Sequence, residues 1–269
     1  MNDIISNFNT ITNKLYSSIK TEGYQMLDEI SNIDTSIFEK EPLKTLYSKD
    51  NIDNLMLIIS CFIIAIIIYY AIKCLINLYS DTSIENIYFF IIKIIVISIL
   101  SLNSFTICKQ IININYLFCD TISCFLEEIS GKKLDYEFLD ENISNLEEFF
   151  KSVDKVSING IKDSIICTYI ISLIIFFSIR YVTILLCIIF SPIAFFSLIL
   201  SSKKFLFYTW EKIFLVNLII QGVNKIIIFI PVVSKSEKEI YSSILIGSAF
   251  IMFKLNKLVG DIKFYGQNK

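Results

Sequence analysis

The chain has 269 residues, 54 % of them hydrophobic and 19 % charged, with a formal net charge of −2 and no histidine. That much apolar material, gathered in tracts, argues against an ordinary soluble domain, and the near-zero charge gives no special attraction to nucleic acid or anionic lipid. Without imidazole there is no histidine base, proton shuttle or metal ligand.

Residues 1–53 are polar, with nine acidic side chains and five lysines. Met1-Asn2-Asp3 lacks a basic leader and the first apolar run starts near Leu55, so no signal peptide is expected. Ile4, Phe8, Ile11, Leu15 and Ile19 recur at spacings of four and three, which predicts an amphipathic helix. Glu41-Pro42 fits the start of a second short helix. These helices either lie on the membrane or on their own bundle, or dock a partner.

Leu55–Ile72 is the first expected span, 18 residues closed by Lys73 and ~27 Å long as a helix. Ile84–Ile107, closed by Lys109, is the second. Lys93 near its middle would cost ~2.5–3.5 kcal/mol facing lipid, so it either snorkels or turns into the bundle. Residues 110–162 form a long non-spanning stretch between spans. It opens with a moderately apolar interfacial helix carrying Asp120, then turns acidic, with Leu139, Ile143, Leu146, Phe150 and Val153 at helical spacing. Either a structural lid or a partner-docking surface accounts for it.

Ile165–Leu200 is almost wholly apolar. Two spans here would need a turn at Phe177-Ser178-Ile179-Arg180-Tyr181, where no Gly, Pro, Asn or Asp is present, so one long tilted helix bent at Ser191-Pro192 is preferred. Arg180 will not face lipid. The next span, 205–233, starts beside Lys203, Lys204, Tyr208, Trp210 and Lys212, which fit interface anchors. Along it Asn217, Gln221, Asn224 and Lys225 fall in an arc of about 100°, a polar stripe that either lines a path or glues helices together. Residues 240–253 form a last, short span, followed by a lysine-rich tail.

These readings divide the chain into an N-terminal amphipathic helical segment (1–53), two transmembrane helices (54–109), an acidic extramembrane loop (110–162), a C-terminal transmembrane bundle (163–253) and a basic tail (254–269). The expected fold is all-α: a polytopic helical membrane protein of about five, alternatively six, transmembrane helices. Positive charge near the span ends puts the C-terminus in the cytoplasm. Five spans put the N-terminus and the acidic loop outside, and six put both inside. The 7 cysteines have no CxxC spacing, and Cys119 and Cys124 are too far apart in a helix to bridge. They read as small packing residues. No metal site, cofactor or enzyme activity is expected.

Arg180-Tyr181, an apolar stretch, Ser191-Pro192-Ile193-Ala194-Phe195-Phe196, a basic pair, Trp210-Glu211-Lys212 and then an Asn/Gln-bearing helix resemble the TrbL-like family, over roughly residues 161–233. That family is the polytopic inner-membrane subunit of bacterial type IV secretion and conjugation machines. The resemblance implies a multimeric, non-catalytic channel or scaffold subunit in the plasma (inner) membrane, passing DNA or protein with energy from partner secretion ATPases. It implies further contact with a pilin-like or lytic extracytoplasmic component, mainly through the N-terminus and the extracytoplasmic loop, which favours five spans. Against the family pattern, no extended polar C-terminal tail is seen in this sequence, so a tail-borne partner contact is not expected. A small-molecule transporter would instead show repeats, broken helices and midplane carboxylates, none of which is apparent. A membrane organising protein without a pore would carry the same stripe as packing glue.

Overall fold

A computed structural model describes residues 23–46, 87–131, 158–199 and 204–233, together with scattered helical positions within 7–14, 57–76 and 247–254. Every regular element among them is helical: α1 (Tyr24–Ser31), a 3-10 turn (Thr35–Phe38), α2 (Leu43–Leu46), α3 (Ile87–Leu102), α4 (Ser104–Ser130), α5 (Ile158–Phe196) and α6 (Lys204–Val233).

The boundaries have local causes. Asp34 caps the 3-10 turn by accepting the Ser36 N–H at 2.9 Å. Pro42 immediately precedes α2, where a missing amide hydrogen does no harm. α3 stops at Asn103, whose backbone N–H and side-chain amide both donate to the Ile99 carbonyl, at 3.1 and 2.9 Å. An Asn side chain competes for backbone oxygens in this way and so favours helix ends. The chain turns by 59° and resumes as α4. α4 ends at Gly131, in the left-handed region at φ 64°, with the Gly131 N–H on the Glu127 carbonyl at 2.8 Å.

The expected span over 84–107 is therefore interrupted: its last residues belong to α4, a 27-residue helix that continues past the expected loop boundary at 110. The next expected boundary, at 163, falls within α5. α5 runs 39 residues without a turn at Phe177–Tyr181 and continues through Pro192. Ile171–Phe196 is long and apolar enough to cross a membrane, and α3 and α4 qualify together as a bent pair. The large exposed side chains of α5, Ile171, Ile175, Ile179, Val182, Leu186, Phe190 and Ile193, are apolar and recur at spacings of four and three, with Ser172, Ser178 and Thr183 half-buried beside them.

The chain divides into two compact units. One comprises Met1–Ile33, Asn115–Thr183 and Val216–Lys269. Leu27, Ile33, Cys119, Leu173, Phe177 and Leu218 are buried in it. The other comprises Asp34–Ile114 and Ile184–Leu215. There Phe90, Ile97, Phe196 and Ile199 form a core on which Tyr70 stacks, its ring 3.4 Å from that of Phe90. Trp210 joins Phe195, Phe207 and Phe214 in a second aromatic cluster.

Of the N-terminal pattern, Ile11 is described and is exposed on a helix. Ile4, Phe8, Leu15 and Ile19 lie outside the described residues, as do the amphipathic pattern over 139–153 and most of the span at 240–253. In the first expected span the described positions, from Leu57 to Ile72, are helical and their large apolar side chains are mostly exposed.

Candidate functional site

The polar groups of α5 and α6 meet inside the first unit. Arg180 is 1 % exposed. Burying a guanidinium costs several kcal/mol unless its N–H groups find acceptors. Here Nε donates to the Asn217 carbonyl at 2.7 Å, Nη2 to Gln221 Oε1 at 2.6 Å and Nη1 to the Ser31 carbonyl at 3.1 Å. Asn217 and Gln221 stand four residues apart on α6 and so share a face, which lets one planar fork reach both. Ser31 is the last residue of α1, where carbonyls lack intrahelical partners and carry the negative end of the helix dipole, an environment that suits a cation.

Gln221 extends the network. Its Oε1 also accepts from Asn115 Nδ2 of α4 at 3.5 Å, and its Nε2 donates to the Ile33 carbonyl at 3.4 Å. One turn further along α6, Lys225 Nζ donates to Ser123 Oγ at 2.8 Å and to the Cys119 carbonyl at 3.5 Å. Between these contacts lies Gly222, where an added Cβ would sit 3.4 Å from the Ile122 side chain and 3.5 Å from Phe118. These are ordinary contact distances, so α4 and α6 leave room there for a methyl group.

Asn224 stands apart. It is 2 % exposed, yet neither Oδ1 nor Nδ2 has a hydrogen-bond partner among the described residues. A buried amide that stays unsatisfied costs ~1–3 kcal/mol.

The remaining sequence-picked residues are dispersed. In the second unit Ser191 Oγ donates at 2.8 Å to the Ile188 carbonyl, on the turn of α5 that Pro192 deprives of an amide hydrogen. The Pro192 carbonyl accepts from Ser101 Oγ of α3 at 2.8 Å. Trp210 differs from the belt expectation: its indole is buried and donates to the Cys187 carbonyl at 2.7 Å, because a sequestered N–H needs an acceptor. Tyr208 is exposed, Lys212 half-buried, and Lys93 half-buried in the middle of α3. Lys204 opens α6, and Lys203 lies outside the described residues.

Arg180, Gln221 and the Asn217 backbone are thus brought together, with Asn224 and Lys225 further along the same helix. The sequence did not point to Ser31, Ile33, Asn115 or Ser123. Two of these contribute only a backbone carbonyl, which every residue has. The arrangement presents buried N–H donors to carbonyl oxygens, which suits it to holding main chain. Comparison with protein-family models, with curated proteins and with solved structures gives no match.

Proposed function

We propose that the chain is an integral, multi-pass membrane subunit of a conjugative type IV secretion apparatus, acting as a multimeric scaffold and channel component. In this reading it crosses the plasma membrane five times, with its C-terminus in the cytoplasm. It assembles with secretion ATPases and a pilin-like or lytic extracytoplasmic component, and DNA or protein is the cargo.

The observation that supports it is the two-faced character of α5. Its large exposed side chains are apolar from Ile171 to Ile193, whereas Arg180 is buried against α1 and α6. That is how a charged residue is accommodated in a membrane helix. The secretion assignment rests on the TrbL-like order of Arg180-Tyr181, Ser191-Pro192 and Trp210-Glu211-Lys212. In this chain Arg180, Ser191 and Trp210 each join neighbouring turns or helices through buried hydrogen bonds, as a scaffold requires.

The test is a mating assay on an in-frame deletion complemented in trans, with growth and solute uptake followed in parallel. Loss of transfer with growth and uptake intact is expected. Persistent transfer with an uptake defect would overturn the reading in favour of a small-molecule transporter.

A further inference from the structure

Building on the membrane reading above, we propose that Tyr24–Ile33 is a removable plug seated on the polar stripe of α6, and that Arg180 and Gln221 are its receptor. Leu27, Ser31 and Ile33 are buried while Met26 and Glu29 are exposed, so the segment has one inward face. Past Ser31 the backbone leaves the helix, with Asn32 at φ −98° and ψ 82°. Arg180 lies nine residues from the Ile171 end of the apolar helix and sixteen from its Phe196 end, ~14 and ~24 Å. If α5 crosses the membrane, the end of α1 therefore sits well below the surface. Non-helical backbone persists at that depth only where protein or water satisfies it. Arg180 Nη1 and Gln221 Nε2 do so, on the Ser31 and Ile33 carbonyls.

The polar groups of α6 reach beyond the plug. Asn224, three residues after Gln221, is buried with both amide atoms unpartnered among the described residues. A stripe made only to hold α1 has no use for that amide. A path that opens when the segment withdraws does, because its polar groups must then meet water or cargo. In the five-span arrangement the N-terminus and the start of α5 lie on the same side, so the plug enters from outside.

The test uses the full chain carrying Ile33→Cys in phosphatidylcholine–phosphatidylglycerol vesicles. Modification at position 33 by a water-soluble maleimide is read by peptide mass mapping, which separates it from the native cysteines, and dye release is followed in parallel. The substitution keeps the backbone carbonyl that Gln221 holds. Slow modification and tight vesicles are expected. Adding Arg180→Leu, which removes the donor, or Leu27→Asp, which leaves the receptor intact, should speed modification about tenfold or more and release dye, in line with losing a charge-assisted hydrogen bond or a buried anchor. If position 33 already reacts like a free thiol without either change, the segment is not seated and the plug is overturned. Faster modification with tight vesicles also overturns it, since no path lies behind the segment. A chain that alkaline carbonate strips from the vesicles overturns the membrane reading itself, whereas either result above in a carbonate-resistant chain overturns the plug alone.

Discussion

Arg180 and Asn224 show two opposite ways of burying a polar side chain. The Arg180 fork is engaged by Asn217, Gln221 and Ser31 oxygens, and Gln221 is engaged at both ends of its amide. Removing the Gln221 amide strips an acceptor from a buried cation, whereas removing the Asn224 amide breaks no bond among the described residues. Gln221→Leu should therefore destabilise the fold by ~1.5–3 kcal/mol, the range for hydrogen bonds to charged groups. Asn224→Leu should be neutral or stabilising by ~1–2 kcal/mol. Detergent-denaturation midpoints measured by circular dichroism check this, and a midpoint for Asn224→Leu well below the parent would show that the amide is satisfied in solution. All four polar residues of the stripe were visible in the sequence, because a polar group in an apolar tract stands out. That Gln221 is bonded and Asn224 is not depends on which carbonyl lies opposite, and the sequence holds no trace of that.

At the scale of elements, the approach of α4 to α6 requires a small residue at position 222. A methyl group there meets Ile122 and Phe118 at ordinary contact distances, and a branched side chain has no such room. Gly222→Ala should be tolerated, with up to ~1 kcal/mol gained from helix propensity. Gly222→Leu should part the two helices and break the Lys225–Ser123 bond. Cysteine pairs placed across α4 and α6 would report this as efficient cross-linking in the alanine variant and its loss in the leucine variant. Equal cross-linking in both would remove the close-packing role. The period of apolar residues made α5 and α6 legible as helices. It failed at Asn103, because an apolar tract interrupted by one polar residue reads the same whether the helix bends there or not. Trp210 misled for a related reason. Lysines beside it suggest the membrane boundary, whereas the Cys187 carbonyl on another helix draws its indole inward.

For the molecule as a whole, the apolar outward faces must be covered by something. Ile171, Ile175, Ile179 and Val182 on α5 and Leu117, Phe118 and Phe125 on α4 are exposed in the same unit, and water does not favour such surfaces. The chain should therefore resist extraction from membranes by alkaline carbonate and stay soluble only in detergent. Recovery in the aqueous fraction would rule out membrane integration.

The sequence by itself determined that the described part of the chain is helical and that α5 is long and apolar enough to cross a bilayer. Both follow from composition and spacing along one stretch of chain. It also marked Arg180, Gln221 and Asn224 as costly residues that need a reason. Only the tertiary structure decided that Arg180 seats the end of α1, that α3 and α4 part at Asn103, and that Trp210 points inward. Each of these turns on which donor meets a carbonyl oxygen, and that is fixed by where the helices end and how they pack.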